Sequence, residues 1–314
     1  MALGTNHVTL TQAANFIPEM WSDEVIAAYK SNLVVANHVT KINHAGKKGD
    51  TIHIPTPTRG TASVKANQTQ VTLIANTEGV TNISIDQHYE YSRLIEDIVA
   101  VQSLNSLRRF YTDDAGYALA KQIDTSLMSE LEGLQGGTVA AGTWASAVIG
   151  GDGITAYSQA ANTNVGNGSA LADAGVRKMI QTLDDADVPM DGRVWLIPPV
   201  TKKTLLGIDR FTIQGQVGEV GGANSIRNGL VGDMYGSMVY VTSNCPTEIA
   251  ADTVTNYRVG ALLHKDALVL VEQLGVRSQT QYKQEWLGDL FTADTIYGKG
   301  ELRNDAGITF VVPV

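Results

Sequence analysis

The sequence predicts an α+β fold, because helical and strand patterns occupy separate stretches of the chain. Two observations support this: a long helical pattern over residues 113–135, and several short runs in which apolar and polar residues alternate. The 314 residues suit roughly two domains, and 43% of them are hydrophobic, which is enough for a sizeable core.

The clearest helix has Thr112 as its predicted N-cap, with Asp113 and Asp114 in its first turn. Apolar residues then recur every three or four positions until Gly136 and Gly137 end the pattern. They are Leu119, Ile123, Leu127, Leu131 and Leu134. A helix of this length spans about 35 Å, so we expect it to form a spine across the molecule.

Shorter patterns complete the secondary structure. Helices are predicted over residues 22–32, 171–187 and 199–206. Strands are predicted over residues 193–197, 237–242, 256–264, 267–272, 276–286, 293–303 and 308–312. Frequent glycine in residues 211–236 predicts irregular backbone there.

Residues 51–56 and 80–91 alternate as two strands, and about two dozen mostly polar residues separate them. A long hairpin of this kind is marginally stable alone in water. We therefore expect it to dock on a neighbouring subunit, although a mobile surface loop would give the same pattern.

Composition limits the possible partners. A formal net charge of -9 opposes tight binding to phosphate backbones. Charged residues make up 18% of the chain, against about 25% in ordinary soluble proteins. This deficit fits extensive subunit contact, whose centres are poor in charge, or ordinary drift in composition. No signal-like N-terminus and no membrane-length apolar run is present, so we expect a protein made and used in a cytoplasm.

Catalytic and metal-binding patterns are weak. The single cysteine, Cys245, follows an apolar strand and is expected to be a small buried residue. The six histidines form no compact zinc pattern, and no nucleophile elbow occurs. Asp184, Asp185 and Asp187 are expected at a solvated helix end. The sequence therefore predicts no enzyme, no cofactor and no metal site.

Several segments together resemble the major capsid proteins of short-tailed bacteriophages. They are residues Phe16–Val25, Lys47–Pro55, Leu107–Ala120, Arg193–Pro199 and Val241–Pro246. No single motif is diagnostic, but their order and spacing match over nearly the whole chain.

This resemblance implies the Hong Kong 97 capsid fold. The implied parts are an N-terminal arm (1–45), an extended hairpin called the E-loop (46–92), a peripheral domain with the spine helix (93–137 and 276–314) and an axial domain (138–275). It also implies an icosahedral shell that encloses double-stranded DNA without reading its sequence.

The partners implied are further copies of the chain in pentamers and hexamers, a scaffolding protein and a portal protein, with no membrane. The expected location is the virion capsid, and the host cytoplasm during assembly. Two alternatives remain: the shell of an encapsulin-like bacterial nanocompartment, and an acidic α/β hydrolase or binding protein.

Five basic residues are candidates for contact between subunits: Lys47, Lys48, Arg59, Arg108 and Arg109. The two lysines lie at the base of the predicted hairpin and Arg59 lies near its tip. Arg108 and Arg109 precede the predicted spine helix, where they would pair with acidic groups of a neighbour or lie in a solvated turn.

Overall fold

A computed structural model of the chain describes residues 34–46, 48–57, 60–71, 73–74, 78–98, 106–136, 149–157, 168–208, 232–249 and 256–314. The predicted helix over residues 22–32 and most of the glycine-rich stretch 211–236 lie outside the described residues.

The described helices are α1 (Ser106–Glu130), α2 (Asp173–Asp185) and α3 (Pro199–Leu205). Short 3-10 turns occupy Val35–Asn37, Leu131–Gly136 and Asn304–Ala306. The strands are β1 (Thr40–Asn43), β2 (Thr51–Pro57), β3 (Glu78–Ser84), β4 (Gln87–Glu96), β5 (Arg193–Ile197), β6 (Asp233–Met234), β7 (Ser237–Val241), β8 (Thr247–Ile249), β9 (Asn256–His264), β10 (Leu268–Lys283), β11 (Gly288–Glu301) and β12 (Gly307–Pro313).

Helix α1 is the predicted spine, but its predicted start is wrong. It begins at Ser106, so Thr112 lies inside the helix and is not its N-cap. Arg108 and Arg109 likewise lie within the helix and do not precede it. Residues 106–111 contain no glycine or proline to stop the helix, so it extends past the cap that the pattern suggests.

The C-terminal end of the spine agrees with the sequence pattern. The helix tightens into the 3-10 turn Leu131–Gly136, and Gln135 adopts a left-handed conformation with a φ of 62°. Leu127, Leu131 and Leu134 are buried there and join the main core, as the apolar periodicity predicts.

The main core surrounds a six-stranded sheet with the order β12-β9-β5-β7-β6, and β8 pairs with β9. Every residue of β5 is buried, which is typical of a central strand covered on both faces. Trp195 of β5 packs edge-on against Phe310 of β12, with 6.3 Å between ring centroids. Helix α2 buries Val176, Met179 and Leu183 in the same core.

A four-stranded sheet has the order β1-β10-β11-β4. Strand β1 pairs in parallel with β10, whereas the other neighbours are antiparallel. One face at the β4–β11 edge receives α1, where Ala115 and Leu119 pack with Phe291 and Ala293.

Strand β10 replaces two predicted strands, so the prediction of separate strands over 267–272 and 276–286 is wrong. Irregular register between Glu272 and Arg277 interrupts the alternation without ending the pairing. The strand continues through residues 275 and 276, where the predicted domain boundary falls. Strand β12, which we assigned to the peripheral domain, pairs with β9 of the six-stranded sheet. The four-part division stays a prediction.

The predicted strand over residues 80–91 is divided in the structure. Strand β3 pairs with β2 in a two-stranded hairpin, and β4 pairs with β11. At the division the Ile85 N–H donates to the carbonyl of Asp50, 2.7 Å away. This bond lies where the chain passes from the hairpin into the four-stranded sheet. The change of partner does not interrupt the alternation of apolar and polar residues, so the sequence pattern does not reveal it.

Candidate subunit-contact surfaces

The base of the β2–β3 hairpin is fixed to the body of the molecule. Ile83 and Ile85 are buried against Val269 and Val271 of β10. Near the same base, the side-chain amide of Gln273 donates to the carbonyl of Gly49, 3.0 Å away. The base of the hairpin is therefore anchored to the four-stranded sheet.

The distal part of the hairpin lacks such packing within the described chain. We call residues 60–71 and 73–74 the hairpin tip. Its large apolar side chains are exposed: Val64, Val71, Leu73 and Ile74, with Leu73 at 89%. One small turn closes around Gln68, whose φ is 62°, and the Thr69 hydroxyl donates to the Ala66 carbonyl. Exposed apolar groups on a protruding ribbon are typical of a surface that another molecule covers.

A second exposed apolar group lies at the turn between β10 and β11. We call Ile98, Tyr282, Trp286 and Leu287 the turn patch; Trp286 and Leu287 are each 65% exposed. Two hydrogen bonds hold it together: the Asp97 N–H donates to the Leu287 carbonyl (2.9 Å), and the Tyr282 hydroxyl donates to the Asp97 carboxylate (2.8 Å). Tryptophan and tyrosine are enriched among residues that dominate binding at interfaces.

Charge differs between the two surfaces. Glu96, Asp97, Glu285 and Asp289 lie in or beside the turn patch, with Lys283 as a basic neighbour. Asp97 raises the pKa of Tyr282, chiefly by accepting its hydroxyl proton in a hydrogen bond. By contrast, Lys65 is the one charged residue of the hairpin tip as described. The two surfaces therefore have complementary charge.

An ion-pair network connects three strands of the four-stranded sheet. The Arg277 guanidinium on β10 donates two hydrogen bonds to Asp294 on β11, at 2.7 and 2.9 Å. His88 on β4 lies 3.3 Å from the same carboxylate. Hydrogen bonds from Arg277 are the main reason that the pKa of Asp294 lies below its usual value. The network stabilises the sheet near the irregular register of β10.

The structure tests little of the basic contact candidates. Lys48 is exposed just before β2. Lys47 and Arg59 lie outside the described residues, and the side chains of Arg108 and Arg109 are outside the description although their backbone is in α1. Their contact role stays a prediction.

The sequence analysis did not predict the turn patch, because it assigned residues 276–286 to a strand. The signal for an apolar turn is the pair Trp286 and Leu287 directly before Gly288.

The side chains that the sequence analysis weighed as catalytic candidates have positions that packing and ion pairing explain. Cys245 is buried, as predicted, and burial raises its pKa to about 12, so it is a thiol at neutral pH. Asp184, Asp185 and Asp187 are exposed at the end of α2, as predicted, and Asp184 also pairs with the buried Arg193 at 2.7 Å. Across the described ranges, no group of three or more histidine, cysteine, aspartate or glutamate residues could hold a metal ion. Among the helices of the described chain, none combines the length and apolar character needed to cross a membrane.

Solved phage structures, among them two capsids, share this fold. A chain from a structure of Mycobacterium phage Che8 is 23% identical, with 94% of this chain and 97% of that chain covered and a TM-score of 0.72. A chain of the capsid of the cyanophage P-SCSP1u is 18% identical, with 99% and 96% covered and a TM-score of 0.73. The cyanophage Pam1 capsid gives 14% identity, 100% and 99% coverage and a TM-score of 0.70.

A comparison with curated protein sequences found no match. The family described as "Phage capsid protein" matches residues 93–307, which include the spine helix, most of the six-stranded sheet and both long strands β10 and β11. The predicted α+β phage capsid fold is confirmed. By this match over more than half of its length, the chain belongs to the phage capsid protein family.

Proposed function

We propose that this chain is the major capsid protein that builds the icosahedral, DNA-enclosing shell of a tailed phage by packing many copies of itself. The exposed hairpin tip carries this proposal, because four large apolar side chains lie on a ribbon that its own subunit leaves uncovered in the described chain. Family membership supports a structural role, with no catalytic step.

The hairpin tip of one subunit, in this proposal, packs on the turn patch of a neighbour. The tip supplies apolar side chains and Lys65, and the turn patch supplies Trp286, Leu287 and an acidic margin. A contact between two different surfaces is heterologous, so repeated copies form rings when the rotation closes. Many such contacts of modest strength together hold a closed shell firmly.

We infer the remaining partners from the resemblance to the capsid proteins of short-tailed phages. Assembly in the host cytoplasm uses a scaffolding protein and a portal protein, and the shell takes up double-stranded DNA. The charge of -9 suits a wall that must not bind the packaged phosphate backbone tightly. Lys47, Lys48, Arg59, Arg108 and Arg109 are proposed contacts between neighbours.

Deletion of residues Arg59–Ile74 tests the role of the hairpin. The base of the hairpin keeps its packing on β10, so the subunit should fold with a nearly unchanged melting temperature. Without the tip, the purified variant should form no shells in negative-stain electron micrographs, whereas the wild-type chain should form shells or large rings.

A second variant replaces the same residues with a glycine-serine stretch of equal length. It keeps the chain length but removes the apolar side chains, and so separates their effect from that of shortening the hairpin. This variant should also fail to assemble. Normal shells from either variant would show that the tip is not a contact between subunits.

A further inference from the structure

Asp124 lies in the spine helix α1, and its side chain is fully buried. One carboxylate oxygen accepts the backbone N–H groups of Val35 (2.9 Å) and Ala36 (3.3 Å). The other oxygen accepts the side-chain amide of Asn244, 3.2 Å away. A buried carboxylate is tolerated when hydrogen-bond donors satisfy it. Here the donors come from two segments that are distant from α1 in sequence.

The first segment, residues 34–43, is held close to Asp124 by further contacts. Val35 is fully buried in the main core, and Val39 is 7% exposed. The ring of His38 lies 4.3 Å from the ring of Tyr240 on β7, measured between centroids. Strand β1 then pairs with β10. Residues 34–43 are therefore held between the spine helix and β7 and lead directly into the four-stranded sheet.

The second segment is the turn between β7 and β8 in the six-stranded sheet. Asn244 lies in this turn, and its side-chain oxygen is 3.2 Å from the Thr125 hydroxyl of α1. Cys245 follows at once and is 3% exposed. Burial is the main cause of the raised pKa of the Cys245 thiol, and the nearby Asp124 charge acts in the same direction. The carboxylate therefore connects the spine helix, the start of the described chain and the six-stranded sheet.

We propose that Asp124 is a positioning residue for assembly: it locks residues 34–43 and the β7–β8 turn onto the spine helix, and so fixes the relative placement of the two sheets that each subunit brings to the shell. This inference rests on the proposed function for its effect on the shell. The lock itself is a property of the single subunit and can be measured without assembly.

The chemistry of the contact predicts an order among substitutions. Asp124→Leu keeps a similar volume but leaves the donors on Val35, Ala36 and Asn244 without an acceptor inside the core. In Asp124→Asn, the remaining oxygen accepts the two backbone N–H groups. The Asn244 amide then rotates so that its oxygen faces the new amide group, and the lock is largely preserved.

Cys245 provides a direct readout, because it is the single cysteine of the chain. Maleimide labelling of the unassembled subunit at neutral pH should be about tenfold faster or more in Asp124→Leu than in wild type, since orphaned donors favour the open turn. Amide hydrogen exchange should rise over Val34–Asn43, while the central strand positions Trp195 and Leu262 stay protected. Asp124→Asn should stay near wild type in amide hydrogen exchange, a measurement that does not depend on the charge beside the Cys245 thiol.

The matched control is Asp113→Leu, which makes the same chemical change at an exposed position of the same helix. It should leave labelling and exchange unchanged. Unchanged labelling and exchange in Asp124→Leu would overturn the lock. Should Asp124→Leu fail to fold, Asn244→Ala replaces it; this variant removes one donor, so labelling faster than wild type supports the lock and an unchanged rate overturns it.

Shell diameters measured by electron microscopy test the effect on assembly. We expect Asp124→Leu to give a broader distribution of diameters, or open sheets, where wild type gives uniform shells. Faster labelling together with shells of wild-type size would overturn the positioning role. A wild-type chain that forms no shells would contradict the proposed function instead, and the labelling result would still decide the lock.

Discussion

At the scale of single residues, burial controls which side chains carry a proton. Burial raises the pKa of both the Cys245 thiol and the Tyr297 hydroxyl to about 12. Both groups are therefore neutral across the physiological range, and Tyr297 lies 2.8 Å from the Ser126 hydroxyl of the spine. These side chains serve packing and hydrogen bonding at the contact between α1 and the sheets.

Glu301, at the end of β11, is expected to make the subunit less stable as pH rises. Burial raises its pKa, with the nearby Glu130 as a second cause, and one of its oxygens is buried without a donor in the described chain. The folded state therefore favours the protonated form, and stability falls as pH rises from about 4.5 through the raised pKa. Glu301→Gln should have a higher free energy of unfolding than wild type at pH 7, measured in urea, and the difference should shrink toward pH 4.

The control for this effect is Glu285→Gln, because Glu285 is exposed in the β10–β11 turn. That variant should follow wild type at each pH. A Glu301→Gln variant that is less stable than wild type at pH 7 would contradict the prediction.

Asp294 should have the opposite pH dependence. Arg277 lowers the pKa of its carboxyl group, so the folded state favours the ionised form. This contribution is present above the ordinary value of 3.8 and is lost as pH falls through the lowered pKa. Asp294→Asn should lower the thermal midpoint at pH 7, with a smaller loss near pH 3. Asp289→Asn on the same strand is the control, and an equal loss in both variants would rule out the Arg277 pair as the cause.

At the scale of elements, close approach between strands determines which substitutions are tolerated. Gly260 of β9 lies against the Phe310 ring of β12, so an added Cβ would clash with that ring. Gly275 of β10 has open space around the same position. Of these two strand glycines, Gly260 has a packing reason to be glycine, whereas the space around Gly275 would accept a larger residue.

Gly260→Ala should destabilise the subunit by about 1–3 kcal/mol, because Phe310 must move within a packed core. Gly275→Ala, its matched control, should change the free energy of unfolding by no more than about 0.5 kcal/mol. Guanidinium denaturation of the unassembled chain measures both. Equal effects at the two positions would show that contact with Phe310 does not limit residue size.

At the scale of the whole molecule, the subunit carries exposed apolar surface that a shell can cover. The hairpin tip and the turn patch are built from different elements, and their charges are complementary. The packing of the hairpin base on β10 and the pairing of β10 with β11 anchor the strands from which both surfaces extend.

Trp286→Ala should weaken assembly without weakening the subunit. Because Trp286 is 65% exposed, its loss should change subunit stability by about 0.5 kcal/mol or less. Loss of a buried tryptophan from an interface typically costs about 2 kcal/mol or more. The lowest concentration that gives shells in light scattering should therefore rise by at least tenfold. Lys283→Ala at the end of β10 should raise it less, and an unchanged threshold for Trp286→Ala would exclude the turn patch as a contact.

Local sequence patterns predicted the elements whose residues have the same kind of burial along the whole element. Strands β5 and β9 have the predicted bounds, because most residues of a buried central strand are apolar. The spine helix was found from its apolar stripe, and only its start was wrong. The candidate contact surfaces were harder: the hairpin was predicted, but the turn patch was not, since Trp286 and Leu287 fit a strand pattern equally well.

The sequence by itself determined the α+β class, the spine helix, the protruding hairpin and membership of the capsid family, since these depend on periodicity and on the order of segments. Only the tertiary structure decided that β10 is one strand, that β12 joins β9, and that Asp124 binds backbone 89 residues away. Periodicity reports whether a residue is buried, whereas the partner that covers it depends on how distant segments pack.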